Sequence, residues 1–368
     1  MHLKNLTVSN FKNIRETVIT CSPRLNCLIG NNGAGKTNIL DALYYLSFTK
    51  SFFISIDQMN ICHGEKWFMI KGIYERSGME EEIVCGYQDG QKKQVKRNSK
   101  TYKRMADHIG LLPLVMVSPN DAVLILGGSD ERRKFMDGVI SQYDAAYLDD
   151  LLRYNRALLQ RNNLLKQMAA DPLTEMGMLE LYDEQLTIAG ERIYRNRNAF
   201  IDQLIPVFRK YYSAISADAE EVGLEYLSDL SNGSYDQSLK SSVEKDKAAQ
   251  YTTKGIHRDE LVLTLGRFPI RKLGSQGQQK TYLVALKLAQ FEFIRQIAGV
   301  KPILLLDDIF DKLDKNRVEQ IVKMVSGEQF GQIFITDTNR EHLDAILHSV
   351  TKDYHIFRVT DGNITRES

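Results

Sequence analysis

The chain has 368 residues, of which 43% are hydrophobic and 26% are charged. These fractions are typical of a folded, soluble protein, and the length predicts two or three domains. The formal net charge is only +1, which excludes a basic field over the whole molecule, so any surface for a polyanion must be a local patch.

The amino terminus and the cysteines predict a cytoplasmic protein without a membrane segment. The first residues show no charged-then-apolar signal pattern, and no apolar run approaches the ~20 residues of a membrane helix. No cysteine lies in a Cys-x-x-Cys pair or in a Cys/His cluster with zinc spacing. We therefore expect reduced, partly buried thiols at Cys21, Cys27, Cys62 and Cys85.

The first part of the chain predicts short strands and one helix. Residues 3–29 alternate between apolar and polar side chains, and they end in the apolar strand Leu25–Ile29. From Lys36 to about Leu46 the apolar residues fall on one helical face. Further strands are predicted over Phe68–Tyr74 and Glu82–Tyr87.

The middle of the chain predicts helices. Apolar residues recur at helical spacing from about Asp130 to about Ala217, with Pro172 and Pro206 as interruptions. The heptad signal there is too short for a long coiled coil. The polar stretch Leu227–Gln250 is interpreted as a loop. Strands are predicted again at residues 260–265, 303–306 and 332–335.

A phosphate-binding loop follows the strand Leu25–Ile29. It fits the pattern G-x-x-x-x-G-K-[ST] without a mismatch and opens a helix, which is the required setting. The motif residues are Gly30, Asn31, Asn32, Gly33, Ala34, Gly35, Lys36 and Thr37. Lys36 would contact the β- and γ-phosphates, and the Thr37 hydroxyl is a candidate Mg²⁺ ligand. The alternative is a Gly-rich turn without a ligand.

A second half-site is predicted far downstream. The apolar run Ile303–Leu306 ends in two carboxylates, which is the pattern of a Walker B strand. Asp307 would hold the Mg²⁺ shell, and Asp308 stands where a general base would polarise the attacking water. The alternative is a strand end capped by acidic turn residues.

The segment Leu273–Lys280 resembles the ABC signature and lies just upstream of the Walker B strand. In that class, Ser275 and Gly277, together with Gln278, would face the nucleotide on a second subunit. Residues 311–314 resemble the D-loop, which would place Asp314 at a dimer interface. No histidine occupies residues 336–339, where this class usually carries a switch histidine, and Thr336 is the candidate γ-phosphate sensor.

These pieces together resemble the RecF family, which is related to Rad50 and SMC heads but lacks their long coiled coil. Departures are mild, with Glu260 in place of the usual Asp and Ile256 in place of the usual Pro. The matching segments are Asn10–Ile14, Gly30–Asn38, Val117–Asp121, Arg132–Asp137, Gly255–Leu261, the Ser-Gln-Gly-Gln-Gln signature and the Walker B segment up to Asp314.

The resemblance implies an α/β fold of the ABC-type P-loop ATPase head, with a mixed central sheet flanked by helices, additional antiparallel strands and an inserted helical lobe. We expect the head's first half over residues 1–125, the lobe over 126–250 and the head's second half over 251–368. By analogy with related heads, Lys12, Asn13 and Asn38 would contact the nucleotide. The alternative for Lys12 and Asn13 is a solvated turn after a strand.

The resemblance further implies ATP and Mg²⁺ as cofactors and a weak, DNA-stimulated ATPase. It implies an ATP-dependent homodimer that binds single-stranded DNA and single-strand/double-strand junctions. It implies work with the mediators RecO and RecR in recombinational gap repair and in SOS induction. Because Asp308 is one methylene shorter than the Glu common in this class, we expect slow hydrolysis.

The DNA contacts are predicted less specifically. A short segment concentrates positive charge around Tyr102. Its cations could neutralise DNA phosphates while the tyrosine stacks on a base or ribose. The alternative is a solvated hairpin, in which the charges protect a strand edge from aggregation. Its cations are Lys92, Lys93, Lys96, Arg97, Lys100, Lys103 and Arg104. Arg153, Arg156 and Arg161 would solvate a helix face rather than follow a DNA backbone. From the residues alone, His257 is interpreted as structural rather than functional.

Three other functions compete with this interpretation. The ATPase subunit of an ABC transporter would carry its signature much closer to the phosphate loop, without a large helical insert. An ATP-regulated nuclease of the overcoming-lysogenization type would need an added acidic metal-binding domain after the head. A small-molecule kinase would leave the signature segment unexplained.

Overall fold

The computed structural model of the chain describes residues 1–170, 177–216, 220–310, 313–338 and 353–367. The strands are β1 (His2–Phe11), β2 (Ile14–Thr20), β3 (Leu25–Ile29), β4 (Trp67–Arg76), β5 (Met79–Gln88), β6 (Gln94–Arg97), β7 (Lys100–Thr101), β8 (Leu114–Val117), β9 (Val222–Leu227), β10 (Glu260–Leu265), β11 (Phe268–Pro269), β12 (Ile303–Asp307), β13 (Ile333–Asp337), β14 (Tyr354–Thr360) and β15 (Asn363–Glu367). The α-helices are α1 (Lys36–Phe48), α2 (Val123–Leu126), α3 (Ser129–Ile140), α4 (Ala145–Ala170), α5 (Gly177–Ser216), α6 (Tyr235–Ala249), α7 (Ile270–Leu273), α8 (Gln276–Ala298) and α9 (Lys315–Val325).

The chain divides into two compact units. The first comprises the described residues within Met1–Asp121, Tyr211–Ala219 and Ser275–Ser368, and the second those within Ala122–Lys210 and Glu220–Gly274. The predicted domain boundaries after residues 125 and 250 stay a prediction, since compact units need not coincide with domains.

A six-stranded mixed sheet in the first unit positions the candidate site. Its order is β15-β14-β3-β13-β12-β8, and all neighbours are parallel except the edge pair β14 and β15. The strands β3, β12 and β13 are buried along their whole length, which explains their almost continuous apolar sequences. Because these strands are parallel, their carboxyl ends lie at one edge of the sheet.

An antiparallel sheet of order β2-β1-β4-β5-β6-β7 completes the first unit. Strand β4 alternates between buried and more exposed residues, as expected when one face packs on a core and the other faces solvent. Helix α1 contributes Ile39, Leu40, Leu43 and Leu46 to a core that includes residues of both sheets. The helix predicted from Lys36 is confirmed and extends to Phe48.

The second unit combines helices with the three-stranded antiparallel sheet β11-β10-β9. The loop predicted over Leu227–Gln250 is wrong, because α6 spans Tyr235–Ala249. The buried positions of this helix include Ser242 and Asp246, so the usual apolar periodicity is missing from its sequence. Because polar side chains occupy buried positions, hydrophobic periodicity could not predict this helix.

Pro206 lies inside helix α5 and does not end it, so the predicted interruption there is wrong. Leu204 and Phe208, on either side of the proline, are both fully buried. Their packing stabilises the helix through the position where a backbone N–H is missing. The second predicted interruption, Pro172, lies outside the described residues.

Candidate nucleotide-binding site

The predicted catalytic segments meet at the carboxyl edge of the mixed sheet. The phosphate loop follows β3, the two Walker B carboxylates end β12, and Thr336 lies near the end of β13. The registers pair Asp307 with Thr336, and Asp337 with Ile29. The sheet therefore brings together three segments that are far apart in the sequence.

The phosphate loop, residues 30–37, depends on glycine at three positions. Gly33 and Gly35 have φ angles of 79° and 113°, which L side chains rarely adopt. A Cβ at Gly30 would lie 2.3 Å from the carbonyl oxygen of Val359. Since α1 begins at Lys36, the loop presents a helix amino terminus at its end, which favours an anion.

Lys36 is buried at the centre of this loop, with 4% of its surface exposed. Its Nζ donates hydrogen bonds to the carbonyl oxygens of Gly30, at 2.7 Å, and Asn31, at 3.1 Å. Asn31, Asn32 and Gly33 are exposed. The ammonium is thus positioned within the loop, where a phosphate would compete for its protons.

Thr37, Asp307 and Thr336 form a hydrogen-bonded group. The Thr37 hydroxyl donates to the two Asp307 carboxylate oxygens at 2.9 and 3.2 Å, and Thr336 Oγ1 donates to Oδ1 at 2.8 Å. Burial raises the pKa of Asp307 above its usual range, although both hydroxyls oppose that shift. The group therefore fixes the orientation of the carboxylate.

Asp308 is held through its backbone. Its N–H donates to Thr336 Oγ1 at 3.0 Å, and its carbonyl oxygen accepts from Lys280 Nζ at 3.5 Å. Its φ of 45° lies in the left-handed region, a costly conformation for a residue other than glycine. Thr336 is completely buried, and its hydroxyl links the Asp307 carboxylate to the backbone N–H of Asp308.

The site fits a magnesium ion. Thr37 and Asp307 place a hydroxyl and a carboxylate side by side, and Mg²⁺ prefers such oxygen ligands. Among the described residues, no three His, Cys, Asp or Glu side chains are grouped as a metal site. Few protein ligands are expected for Mg²⁺, which usually binds through one or two carboxylates together with substrate phosphates.

Asn13 braces the phosphate loop. Its amide donates to the Ala34 carbonyl oxygen at 3.2 Å and accepts from Asn38 Nδ2 at 2.7 Å. The Gly362 N–H donates to the same Ala34 oxygen at 2.8 Å. No sequence motif pointed to Gly362, which lies in the turn between β14 and β15, far from the loop along the chain.

Lys12 is bound to an acidic residue of α1. Its Nζ lies 2.5 Å from Asp41 Oδ2, and only 11% of the lysine side chain is exposed. Asp41 also accepts from Ser51 Oγ and from the Phe52 N–H. The environment of Lys12 is therefore a buried ion pair, which neither the nucleotide-contact interpretation nor the solvated-turn interpretation anticipated.

The signature segment begins helix α8 and is exposed at its tip. Ser275 caps the helix, accepting from the Gln278 N–H at 3.2 Å, while Gln278 Oε1 accepts from the Ser275 N–H at 2.6 Å. A Cβ on Gly277 would lie 2.9 Å from Arg317 Nη1, the end of a flexible side chain that could move aside. Asp314 caps α9 by accepting from the Arg317 N–H at 3.0 Å. Asp311 and Lys312 lie outside the described residues.

The predicted DNA patch separates into two groups. Lys93 pairs with Asp57 and Arg97 with Glu81, so both cations stabilise the fold. Tyr102 is half-buried with its hydroxyl enclosed, which disfavours the predicted stacking on a base. The exposed or half-exposed cations that remain are Lys92, Lys96, Lys100, Lys103 and Arg104.

Two predictions about the second unit have different outcomes. Arg161 is fully buried and bound to Asp183 and Asp246, so the prediction that it lies on a solvated helix face is wrong. Arg153 and Arg156 are exposed.

His257 is bonded at Nδ1 to the Tyr154 hydroxyl and at Nε2 to the Thr252 carbonyl oxygen. Burial lowers its pKa to about 4, in agreement with a neutral structural histidine.

The four cysteines are buried and none of them forms a disulfide. No helix among the described residues has the length and apolar character needed to cross a bilayer.

The fold and this site define an ABC-type P-loop ATPase head. Residues 2–365 match the family described as RecF/RecN/SMC N terminal domain. An Smc head bound to the C-winged helix domain of ScpA shares the fold, with a TM-score of 0.60 and 15% identity over 100% of this chain and 98% of that one. The predicted fold class is thereby confirmed.

The chain belongs to the RecF family. A curated relative, "DNA replication and repair protein RecF" from Bacteroides fragilis, is 56% identical over 99% of this chain and 98% of its own. Its namesake from Flavobacterium johnsoniae is 47% identical over 98% of this chain and 100% of its own. A solved structure of the recombination mediator RecF with ATP in the RecFOR pathway has a TM-score of 0.89 and 30% identity, covering 100% of this chain and 98% of that chain.

Proposed function

We propose that this protein is an ATP-gated, DNA-binding ATPase of replication and recombinational gap repair. The observation that carries the proposal is a contrast between two loops of one unit. The phosphate loop and the Walker B carboxylates are joined in one hydrogen-bonded site, whereas the signature serine lies on an exposed, capped helix start. A second copy would place its signature against the nucleotide.

The residues have separate tasks in this proposal. Lys36 holds the β- and γ-phosphates, with the loop N–H groups and the start of α1 as further anion ligands. Asn13 and Asn38 maintain the loop's shape. Thr37 and Asp307 would hold Mg²⁺, which when bound neutralises phosphate charge. Asp308 orients the attacking water, and Thr336 with Lys280 fixes the backbone that carries it.

ATP would act as a switch, because the dimer makes signature contacts with the nucleotide that a monomer lacks. Ser275, Gly277, Gln278 and Asp314 belong to that interface. The short Asp308 side chain favours slow, DNA-stimulated hydrolysis that times release. The domain assignment that goes with this proposal is a head over residues 1–125 and 251–368 with an inserted lobe over 126–250.

The proposal extends to partners. We infer a cytoplasmic protein that binds single-stranded DNA and single-strand/double-strand junctions, works with RecO and RecR to load recombinase, and contributes to SOS induction. Its support is family membership and the similarity to a recombination mediator of the RecFOR pathway.

The decisive experiment measures DNA binding and mass together. Fluorescence anisotropy of a gapped duplex is recorded with ATP, with ADP and without nucleotide, while light scattering follows the protein's mass. We expect ATP alone to produce a dimer and a tighter, salt-sensitive complex. DNA binding that is absent, or indifferent to nucleotide at low salt, would reject the DNA-repair function and leave only the ATPase fold.

A further inference from the structure

An exposed aromatic residue lies on the outer face of the antiparallel sheet. Strand β4 turns Phe68 and Ile70 into the core and leaves Trp67 43% exposed. Trp67 is the single tryptophan of the chain. No part of the nucleotide site includes this face.

Trp67 borders a shallow depression of about 290 Å³ on the face of β4, β5 and β6. Gly86 pairs with Met69 on one side and Gln94 on the other. A Cβ at Gly86 would meet nothing closer than the Phe68 carbonyl oxygen at 3.8 Å, so the glycine leaves open space above the sheet. A flat group therefore has room beside the indole.

The charge of the depression is one-sided. Lys92 and Lys96 line it, and no carboxylate does. Within the described part of the chain, neither ammonium has an ion-pair partner, whereas the nearby Lys71 pairs with Glu82 and Lys93 with Asp57. The two unpaired lysines beside an exposed indole complement an anion that carries aromatic rings.

We propose that this depression binds single-stranded DNA, with one base stacked on Trp67 and the flanking phosphates neutralised by Lys92 and Lys96. Stacking of bases on aromatic side chains, together with a basic groove, is the general mode of single-strand recognition. A duplex would not fit this mode, because its bases are already stacked on one another. The inference rests on the proposed DNA-binding function and adds the surface that would contact the single strand.

The fluorescence of Trp67, the single tryptophan, can report DNA binding directly. We titrate the full-length protein with an unlabelled oligothymidylate in the presence of ATP and follow tryptophan fluorescence, with anisotropy of a labelled oligothymidylate in parallel. Quenching should saturate with the same affinity as the anisotropy change. Trp67→Ala should weaken binding by about 5- to 150-fold, as expected for the loss of one stacked base, while Trp67→Phe should retain most of it.

Charge variants provide matched pairs. Lys92→Gln with Lys96→Gln should lower the slope of log affinity against log salt by about 1.4 for a single strand. Lys100→Gln with Lys103→Gln removes the same charge from the same segment, outside the depression, and should change that slope less. Gly86→Val, which fills the open space without altering charge, should weaken binding while leaving ATP affinity unchanged.

The outcomes separate this inference from the proposed function. Anisotropy without quenching, or equal losses in both lysine pairs, would overturn the depression as the site while DNA binding itself stands. Tight binding of a blunt duplex that quenches Trp67 as strongly would overturn the single-strand assignment. No anisotropy change with any DNA would reject the proposed function and this inference together.

Discussion

The phosphate loop and the signature segment carry equally recognisable motifs but have opposite environments. Lys36 is 4% exposed and bonded to two loop carbonyls, and Asp307 is 3% exposed and bonded to two hydroxyls. Ser275 is exposed, and the bonds of its capping box are made with Gln278, a residue of the same helix end. The phosphate loop is therefore held by hydrogen bonds within its own chain, whereas the signature segment faces solvent.

In the proposed dimer, this difference indicates where the second copy would contact the nucleotide. A buried, fully bonded site is preorganised to hold its ligand without help. An exposed, capped helix start is suited to contact a neighbouring molecule, as the proposed dimer requires. Variants of the two loops should accordingly separate ATP binding from ATP-dependent assembly.

The largest effect is expected for Lys36→Met. The substitution removes a charge-assisted contact to phosphate, so ATP affinity should fall about 100-fold or more. Calorimetric titration with ATP measures it, and thermal unfolding of the ligand-free variant checks that the fold is intact. An affinity within tenfold of the parent would mean that the loop N–H groups, rather than the ammonium, dominate binding.

Ser275→Arg should act on assembly alone. The bulky cation obstructs the signature surface, so ATP should still bind to the monomer with nearly unchanged affinity, while the ATP-dependent increase in mass disappears. Ser275→Asp is the matched control for the helix cap, because its carboxylate still accepts the Gln278 N–H but repels a phosphate. Normal dimer formation by both variants would contradict the assigned role of this segment.

Thr336→Val sharpens the comparison within the Walker B group. It removes the hydroxyl between Asp307 and Asp308, which should lower stability by about 1–3 kcal/mol and slow hydrolysis about tenfold through loss of positioning. Thr336→Ser keeps the hydroxyl and should retain both properties. If valine weakened ATP binding as severely as Lys36→Met, with hydrolysis of bound ATP unchanged, Thr336 would be a ligand sensor instead.

The smallest effect on the nucleotide is expected for Lys12→Met. Breaking the ion pair with buried Asp41 should lower the free energy of unfolding by about 3–5 kcal/mol, while ATP affinity changes less than about twofold. Asp41→Asn and the double variant complete a thermodynamic cycle, in which the two losses should not add. A large loss of ATP affinity with normal stability would instead support the predicted role of Lys12 as a nucleotide contact.

The basic residues show where sequence interpretation fails. Arg161 has the sequence context of a surface cation, yet its guanidinium is fully buried between Asp183, at 2.5 Å, and Asp246, at 2.7 Å. These partners are 22 and 85 residues away along the chain. Lys93 and Arg97 likewise belong to a basic segment but are engaged by carboxylates of other strands and turns. A residue's charge is visible in a sequence, but its counterion is not.

The sequence by itself determined the family, the nucleotide chemistry and the segments that carry it. Gly33, Gly35, Lys36 and Thr37 are required at fixed spacing because the loop that cradles a phosphate is local, so the motif contains the geometry. The strand Leu25–Ile29 and the helix from Lys36 follow from local apolar pattern.

The tertiary structure decided what depends on contacts between distant segments. It bonded the Thr336 hydroxyl to the Asp307 carboxylate and to the Asp308 backbone N–H, gave Lys12 a buried counterion and braced the phosphate loop with Gly362. It also turned Trp67 outward beside Lys92 and Lys96. One physical reason applies to all four features. Strand pairing and burial determine these contacts, and neither produces a sequence pattern that can be recognised at a single residue.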